Sequence, residues 1–250
     1  DGPMSRGLGD VYKRQTFKHV CWSVVMILIP TLLIVRQPDL GTAILVFASG
    51  FLVLFLAGLG KRYILGSGLI SLAAIPVMWL FVLRDYQKQR ILTLLSPEDD
   101  TLGSGWNIIQ SKTAIGSGGF NGKGWTEGTQ SQLSFLPESH TDFIIAVLAE
   151  EFGLIGVMAL CTLYLLIIGR CLFIAANAQS QFGRLLAGSL GSIFFIYIFV
   201  NMGMVSGILP VVGAPLPMIS YGGTAILTLF IGFGMLMAIS REPKQMRTQF

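Results

Sequence analysis

Charged residues are scarce in this sequence. Only 12% of its 250 residues are Asp, Glu, Lys or Arg, whereas 53% are hydrophobic and the mean hydropathy is +0.70. A soluble globular domain carries about 25% charged residues, so the composition excludes an ordinary soluble domain and indicates a membrane protein. The net charge of +4 comes from basic residues scattered along the chain rather than clustered in one stripe, so no nucleic-acid partner is indicated.

Cysteine is also rare. The three cysteines, Cys21, Cys161 and Cys171, each lie in or beside an apolar run. Cys161 and Cys171 are on one predicted helix, about 15 Å apart at about 1.5 Å per residue, which is too far for a disulfide. No CxxC and no Cys/His spacing occurs. The sequence therefore indicates neither a disulfide framework nor a zinc site.

Six apolar segments have about the 20 residues that a helix needs to cross a bilayer. The last two come from one uncharged stretch of 56 residues, Leu185 to Ser240, which is interrupted by PVVGAPLP at 210–217. Its three prolines remove backbone donors, which predicts a loop or a re-entrant bend there. The predicted fold is an all-α polytopic membrane helix bundle with six transmembrane helices. These run approximately over residues 18–35, 40–60, 63–83, 143–169, 185–208 and 218–240.

The first fifteen residues differ from the rest of the chain. DGPMSRGLGDVYKRQ is Gly-rich and charged and has no hydrophobic periodicity, which is typical of a foreign leader. We therefore expect residues 1–15 to be such a leader and residues 16–250 to form a single membrane domain.

The basic residues of the short connections predict the orientation in the membrane. Ten of them fall on one side of the spans, whereas the short loops on the other side contain Arg36 alone. By the positive-inside rule, both termini are cytoplasmic and the long connection, residues 84–141, is extracytoplasmic. A loop of that length without a span of its own is usually functional. The ten residues are Lys13, Arg14, Lys18, Lys61, Arg62, Arg170, Arg184, Arg241, Lys244 and Arg247.

The extracytoplasmic loop combines glycines with two tryptophans and several basic residues. Its glycines do not form a Walker nucleotide loop, because Ser117 stands where the first glycine is needed and Gly124 follows Lys123. The GxGxxG pattern fails as well, because Asn121 occupies the last glycine position. A flexible interfacial loop and a phosphate-binding nest of backbone amides both remain open. A short amphipathic helix around Lys112 is expected to lie on the membrane surface.

Asp142 opens the fourth span, and two interpretations of it are open. A carboxylate in the first turn stabilises a helix N-terminus by about 0.3–1 kcal/mol, so capping is the first. The second follows from helical spacing, which places small residues and another carboxylate on the same face. Such a face has room beside it, which predicts a water-filled cavity that opens outward around both carboxylates. The other residues of this face are Ala146, Ala149, Glu150 and Gly153.

Two further polar residues lie near outer boundaries of the spans. Asp39 is predicted to be a turn residue after Pro38, with a local pairing to Arg36. His140 is predicted to be a hydrogen-bond partner close to Asp142 rather than a ligand or a base.

Five strings occur in order along the chain, and together they resemble the SEDS family (shape, elongation, division and sporulation). The resemblance runs almost continuously from about residue 17 to residue 240. AVLAEE and QKQRIL are more similar to the elongation members of the family than to its division members. Members usually have ten spans, so we expect that the first four are missing here and that this fragment alone is inactive. The strings are QPDLGT (37–42), DYQKQRIL (85–92), GWNIIQSKTAIGSGG (105–119), GKGWTEGTQSQLSFLPESHTDFIIAVLAEEFG (122–153) and NMGMVSGILPVVGAPLPMISYGG (201–223).

The resemblance implies a peptidoglycan glycosyltransferase that polymerises lipid II into glycan strands during cell elongation, with the undecaprenyl-linked glycan chain as donor. The family's proposed catalytic carboxylate is the aspartate of its FLPExHTDF motif, which is Asp142 here, as general base. We expect substrate-binding roles for other residues on the outer side, and a divalent cation, Mg or Mn, beside the pyrophosphate. These substrate-binding candidates are Lys112, Arg90, Lys123, His140 and Glu150.

The resemblance also implies a class B penicillin-binding protein as the transpeptidase partner, and a place among the lipids of the bacterial inner (plasma) membrane. Two other functions remain open. A flippase or other transporter of a lipid-linked cell-wall precursor is expected to show charges near the bilayer midplane, or broken helices in two halves. A scaffold that only holds a partner enzyme would not need Asp142.

Overall fold

The computed structural model describes residues 17–37, 39–100, 103–132 and 138–242, and all regular elements in these ranges are helical. A π-helical turn, Met78–Val82, continues the third helix, and a 3₁₀ turn, Pro97–Asp99, follows the fourth. The predicted leader, residues 1–15, lies outside the described residues. The helices are α1 (Phe17–Arg36), α2 (Leu40–Leu56), α3 (Lys61–Val77), α4 (Asp85–Leu95), α5 (Ser104–Gly118), α6 (Thr129–Gln132), α7 (Ile144–Asn177), α8 (Gln181–Val205) and α9 (Gly223–Ser240).

The six predicted spans coincide with α1, α2, α3, α7, α8 and α9, so the prediction of an all-α polytopic membrane protein is confirmed. In the described part of the chain, four helical stretches are long and apolar enough to cross a membrane, and α1 and α2 have shorter apolar parts, Val20–Arg36 and Gly41–Leu56. The four stretches are Arg62–Phe81, Ile144–Asn177, Gln181–Val205 and Gly223–Ser240.

The described residues divide into two compact units, one up to Arg84 and one from Asp85 onward. In the first unit, α1 packs against α2, and Gly50 permits the approach because a Cβ there would lie 2.7 Å from Ile27 Cγ1. Asp39 caps α2, since its Oδ1 accepts a hydrogen bond from the Thr42 amide at 3.0 Å. The structure records no ion pair between Asp39 and Arg36, both of which it describes, so the predicted pairing is wrong.

In the second unit, α7 packs against α8 and α5, and α9 closes the bundle. Aromatic rings join the three long helices: Tyr164 of α7 meets Phe194 of α8 edge-on at 5.7 Å between ring centroids, and Phe194 meets Phe233 of α9 at 5.8 Å. Gly191 lies against Cys171, where a Cβ would be 2.7 Å from the cysteine Cβ. This glycine therefore serves close packing within the bundle.

The connection between α8 and α9, residues 206–222, is not helical, and we call it the proline loop. The predicted break at 210–217 is therefore confirmed, although the last span begins at Gly223 rather than at residue 218. Three residues of the loop have positive φ: Gly207 at 70°, Gly213 at 72° and Met218 at 67°. Prolines and these left-handed positions both oppose helix, which explains why the loop is longer than its prolines alone suggest.

The helix α7 is broken at Gly153, whose φ of 66° and ψ of −163° are not helical. The backbone groups freed by the break pair with residues 119–124: Lys123 N donates to Glu150 O at 3.0 Å, and Leu154 N donates to Gly119 O at 2.9 Å. Backbone groups near a membrane must find such partners. Gly153 is required there, because its φ is positive and a Cβ would overlap Gly122. The sequence pattern predicted an unbroken helix through Gly153, and this prediction is wrong.

The long connection, residues 84–141, is largely ordered into helices where the structure describes it. The predicted amphipathic helix exists as α5, but it packs against α7 and α8 instead of only lying on the membrane surface. Ile108 and Ala114 are buried, and a Cβ on Gly118 would overlap the Ala149 carbonyl. The flexible-loop interpretation is therefore wrong for this segment. The expected open space beside Ala149 is also absent, because α5 fills it.

Candidate active site

Asp142 lies just before α7 with its carboxylate half-buried. Phe143 occupies the N-cap position of α7 and no side chain caps the helix there, so the capping interpretation of Asp142 is wrong. The carboxylate instead faces the proline loop, where a Cβ on Gly213 would lie 3.4 Å from Asp142 Oδ2. Burial, and after it the negative charge of Glu138, raise the pKa of Asp142 above its usual value.

The backbone around Asp142 is held from outside its own segment. Three consecutive carbonyls each accept a hydrogen bond: His140 O from Tyr221 N at 3.0 Å, Thr141 O from Ser220 Oγ at 2.5 Å, and Asp142 O from Asn201 Nδ2 at 2.8 Å. The donors lie in the proline loop and in α8. We call these three bonds the carbonyl clamp.

The proline loop is itself tied to the helices. Asn201 Nδ2 also donates to Ala214 O at 2.6 Å, and the Tyr164 hydroxyl donates to Pro217 O at 2.7 Å. Ser220 Oγ accepts from Leu216 N at 2.7 Å. The loop is therefore fixed both to α7 and α8 and to the segment that carries the carboxylate.

Two of the predicted substrate-binding cations lie along the proline loop. Arg90 of α4 donates from Nη1 to Val211 O at 3.2 Å. Lys112 of α5 is exposed and lies against Gly207, where a Cβ would be 2.6 Å from Lys112 Nζ. Ser111 fixes this part of α5 by donating to Val205 O at 2.9 Å. The structure thus places both cations beside the loop that also faces Asp142.

Lys123 and Glu150 instead pair with each other, with Lys123 Nζ 2.7 Å from Glu150 Oε1. Glu150 is fully buried, and it also accepts from Gln130 N at 3.0 Å and from Thr129 Oγ1 at 3.1 Å. The expected water-filled cavity around Glu150 is therefore wrong. A buried carboxylate requires such partners, and protein groups rather than water supply them.

The remaining candidate, His140, joins the site through its backbone only. Its carbonyl belongs to the carbonyl clamp, whereas its imidazole is exposed. Between the described residues His140 and Asp142 the structure records no side-chain hydrogen bond, so the predicted partnership is wrong in this form. Residues 133–137, which contain most of FLPE, lie outside the described ranges.

Sequence reasoning missed Asn201 and Ser220. Both lie in the uncharged stretch from Leu185 to Ser240, and both are buried. Polar side chains at positions predicted to lie in or beside an apolar span were the available signal, because such groups need hydrogen-bond partners. Which partners they find depends on the fold of the proline loop, which the sequence pattern does not give.

An apolar groove of about 480 Å³ runs between α8, α9 and the proline loop. Leu190, Phe194, Leu229 and Phe233 are among its lining residues, and Ser220 contributes to the lining from the proline loop. The Ser220 hydroxyl also donates to Thr141 O, so the proline loop contacts both the groove and the segment that carries Asp142.

Comparison with known proteins gives a consistent result. Residues 6–245 match the family model described as cell cycle protein, of FtsW, RodA and SpoVE. Peptidoglycan glycosyltransferase MrdB of Escherichia coli K12 is 58% identical over 231 residues, which are 92% of this chain and 62% of the relative. A probable peptidoglycan glycosyltransferase FtsW of Trichlorobacter lovleyi is 44% identical over 217 residues, which are 87% of this chain and 56% of that protein. The chain thus spans about three fifths of the length of these curated relatives.

Two solved structures share the fold of this chain over most of its length. A structure described as structural coordination of polymerization and crosslinking by a peptidoglycan synthase complex matches with a TM-score of 0.75 and 30% identity, over 91% of this chain and 63% of the other. The rod shape determining protein RodA of Thermus thermophilus matches with a TM-score of 0.56 and 27% identity, over 90% of this chain and 58% of the other. The order of the strings, the family match and these shared helices lead to one conclusion: the chain belongs to the FtsW, RodA and SpoVE family of cell cycle proteins, the SEDS family.

Proposed function

We propose that this chain is part of a peptidoglycan glycosyltransferase that polymerises lipid II into glycan strands during cell elongation, with Asp142 as its general base. The names of the relatives support the activity. The observation that carries the assignment of the base is the half-buried carboxylate of Asp142, which faces the proline loop and has a raised pKa.

Glycosyl transfer to a sugar hydroxyl requires a proton acceptor beside that hydroxyl, and Asp142 has this role in the proposal. The acceptor sugar attacks the anomeric carbon of the donor through its 4-hydroxyl, whose proton passes to Asp142, while undecaprenyl pyrophosphate leaves. A positioned general base contributes about 10²–10⁴-fold, and it works best when its pKa approaches the working pH. Burial and the charge of Glu138 move the pKa of Asp142 in that direction.

The leaving pyrophosphate needs positive charge beside it. Arg90 and Lys112 supply it in this proposal, because both lie along the proline loop with their side chains exposed. Lys123 and Glu150 are given a structural role, because their charges are committed to each other. The exposed imidazole of His140 contacts the sugar head group, and the adjoining apolar groove suits the lipid-linked nature of the substrates.

A divalent cation, Mg or Mn, is also part of the family's expected chemistry, as a Lewis acid for phosphoryl oxygens. The described residues do not form a site for it by themselves, because no three or more of their His, Cys, Asp and Glu side chains come together. Magnesium is usually held by one or two carboxylates together with substrate phosphates, so a site here would need the bound pyrophosphate as well as protein groups. Each step above is therefore assigned to the chain's own groups.

We further propose the bacterial inner membrane as the location, with both termini cytoplasmic and with a class B penicillin-binding protein as partner. The charge asymmetry of the short loops supports the orientation. The peptidoglycan synthase complex that shares this fold combines polymerisation with crosslinking, which supports a transpeptidase partner.

A flippase of lipid-linked precursor is the second candidate, and two observations favour it. The helix α7 is interrupted at Gly153, and the uncharged stretch from Leu185 to Ser240 is interrupted by the proline loop. Interrupted helices and buried charges, such as that of Glu150, are typical of transporters.

One reconstitution separates the two functions. The full-length parent protein with its partner, placed in vesicles with purified lipid II, is expected to form glycan polymer without moving lipid II between leaflets. Polymer is measured by gel separation of labelled glycan, and translocation by protection of labelled lipid II from an external reagent. Translocation without polymer would replace the glycosyltransferase by the flippase.

The pH dependence of polymerisation tests the environment of Asp142. The base must be deprotonated, so the rate falls as the pH falls through its pKa, which lies above the usual aspartate value. Glu138→Gln removes the charge that helps to raise this pKa, so the acid limb of the pH–rate profile is expected to move to lower pH. Glu98→Gln, at an exposed carboxylate of the 3₁₀ turn, is the control and leaves the limb in place. An acid limb that stays in place in Glu138→Gln would contradict the assignment.

A further inference from the structure

We propose that Asn201 and Ser220 are positioning residues that fix the carboxylate of Asp142 by holding its backbone. This inference rests on the proposed glycosyltransferase function. Neither side chain acts on the substrate in this proposal; both act through the carbonyl clamp.

The segment that carries Asp142 has no regular structure of its own to hold it. Residues 138–143 form turns, with local bonds such as Thr141 N to Glu138 O at 3.1 Å. Among the described residues, the carbonyls of 140, 141 and 142 find their hydrogen-bond donors in other elements. A run of three consecutive external bonds fixes the backbone dihedrals of the segment, and with them the direction of the Asp142 side chain.

Asn201 can hold the segment in one orientation only. Its Nδ2 donates to Asp142 O and to Ala214 O, so a reversed amide would place Oδ1 against two carbonyl oxygens. Its Oδ1 is buried and has no partner among the described residues, which is unfavourable. A buried asparagine that leaves its own oxygen unsatisfied contributes through its two donor bonds, which join α8, the proline loop and Asp142.

Ser220 connects the same parts by a second route. Its hydroxyl accepts from Leu216 N and donates to Thr141 O, and only a hydroxyl offers a donor and an acceptor on one small atom. Ser220 is 4% exposed, so no bulk water replaces these bonds. The residue also lines the apolar groove, so the clamp is continuous with the wall of that groove.

Loss of the clamp has two expected effects. A misplacement of about 1 Å in a catalytic group costs about 10²-fold in rate. Because the exposed cations are unchanged and Ser220 contributes only one small side chain to the groove, the loss falls mainly on kcat rather than on KM. A released carboxylate also becomes more hydrated, so the pKa of Asp142 falls towards its usual value and the acid limb moves to lower pH.

The test uses the full-length parent protein with its partner and four variants. Ser220→Ala removes the hydroxyl, Ser220→Thr keeps it, and Asn201→Asp is isosteric but has no amide donor. Ser206→Ala is the matched control, because the hydrogen bonds recorded for Ser206 Oγ go to Met202 O and Gly203 O in the last turn of α8 and not to the segment with Asp142. Polymerisation is measured against pH and lipid II concentration, and hydrogen exchange is measured in the peptide that covers residues 138–146.

We expect Ser220→Ala to lower kcat by about 10–10²-fold with little change in KM. Its acid limb moves to lower pH and exchange in 138–146 becomes faster. Ser220→Thr and Ser206→Ala retain the parent values, and Asn201→Asp resembles Ser220→Ala. If Asn201→Asp does not insert into membranes, the two Ser220 variants and their pH profiles decide alone.

Two results would overturn the inference: faster exchange in Ser220→Ala with parent kcat and pH profile, or equal losses in Ser220→Ala and Ser220→Thr with an unmoved acid limb. Failure of the proposed function has a different signature, which is polymerisation retained when Asp142 itself is replaced. In that case the exchange data would still report whether the clamp holds the segment.

Discussion

Asp142→Asn in the full-length parent protein is expected to lower glycan polymerisation from lipid II by about 10²–10⁴-fold. Asparagine has the same shape as aspartate, so it keeps the contact with Gly213 and the backbone bond to Asn201, but its amide takes no proton from a sugar hydroxyl. Membrane insertion is expected to persist, because the side chain lies before the first turn of α7. The measurement is the initial rate of polymer formation at saturating lipid II.

The control for this variant is Asp39→Asn. Asp39 is also an aspartate next to an apolar helix, and asparagine preserves its cap of α2. Polymerisation should therefore stay at the parent level. Near-parent activity in Asp142→Asn would remove the general base from the proposal, and it would bring forward the scaffold interpretation, in which Asp142 is dispensable.

The second large effect is on stability. Lys123→Met is expected to destabilise the protein by about 3–5 kcal/mol, because it leaves the fully buried carboxylate of Glu150 without its counter-ion. Lys123 is 28% exposed, which places the expected loss at the lower end of this range. The free energy of unfolding is measured by denaturant titration in detergent micelles.

The double variant Lys123→Met, Glu150→Met is its matched control. It removes both charges together, so no carboxylate is left unpaired, and most of the stability should return. If the double variant is as unstable as Lys123→Met, then the contacts of α6 and residues 119–124, rather than the ion pair, hold this region. If both variants match the parent protein, the pair contributes nothing.

The spans could be predicted from the sequence because each depends on local composition. Runs such as Leu185 to Ser240 are uncharged, and their prolines mark the break between α8 and α9 without any knowledge of neighbours. Asp142 was found in the same way, as a carboxylate beside an apolar run. Its predicted position at the start of the fourth span was compatible with both interpretations, and only the structure showed that Asp142 does not cap the helix.

The arrangement around Asp142 could not be predicted, because it depends on pairs far apart in the chain. Asn201 and Asp142 are separated by 59 residues, and Ser220 and Thr141 by 79. The helical face with Ala149 and Glu150 was known only to carry small side chains that leave space beside it. A packed helix fills such a space as well as water does. Likewise, Gly153 resembles any helical glycine until the backbone of residues 119–124 lies beside it.

The break in α7 has a consequence for the length of helix that can cross the bilayer. The part after Gly153, residues 154–177, measures about 36 Å at about 1.5 Å per residue, which already exceeds the roughly 30 Å hydrocarbon layer. This part alone is therefore long enough to span the hydrocarbon layer. Residues 144–152, next to the carboxylate, are not needed to cross it, and the backbone groups freed at their end are satisfied by residues 119–124.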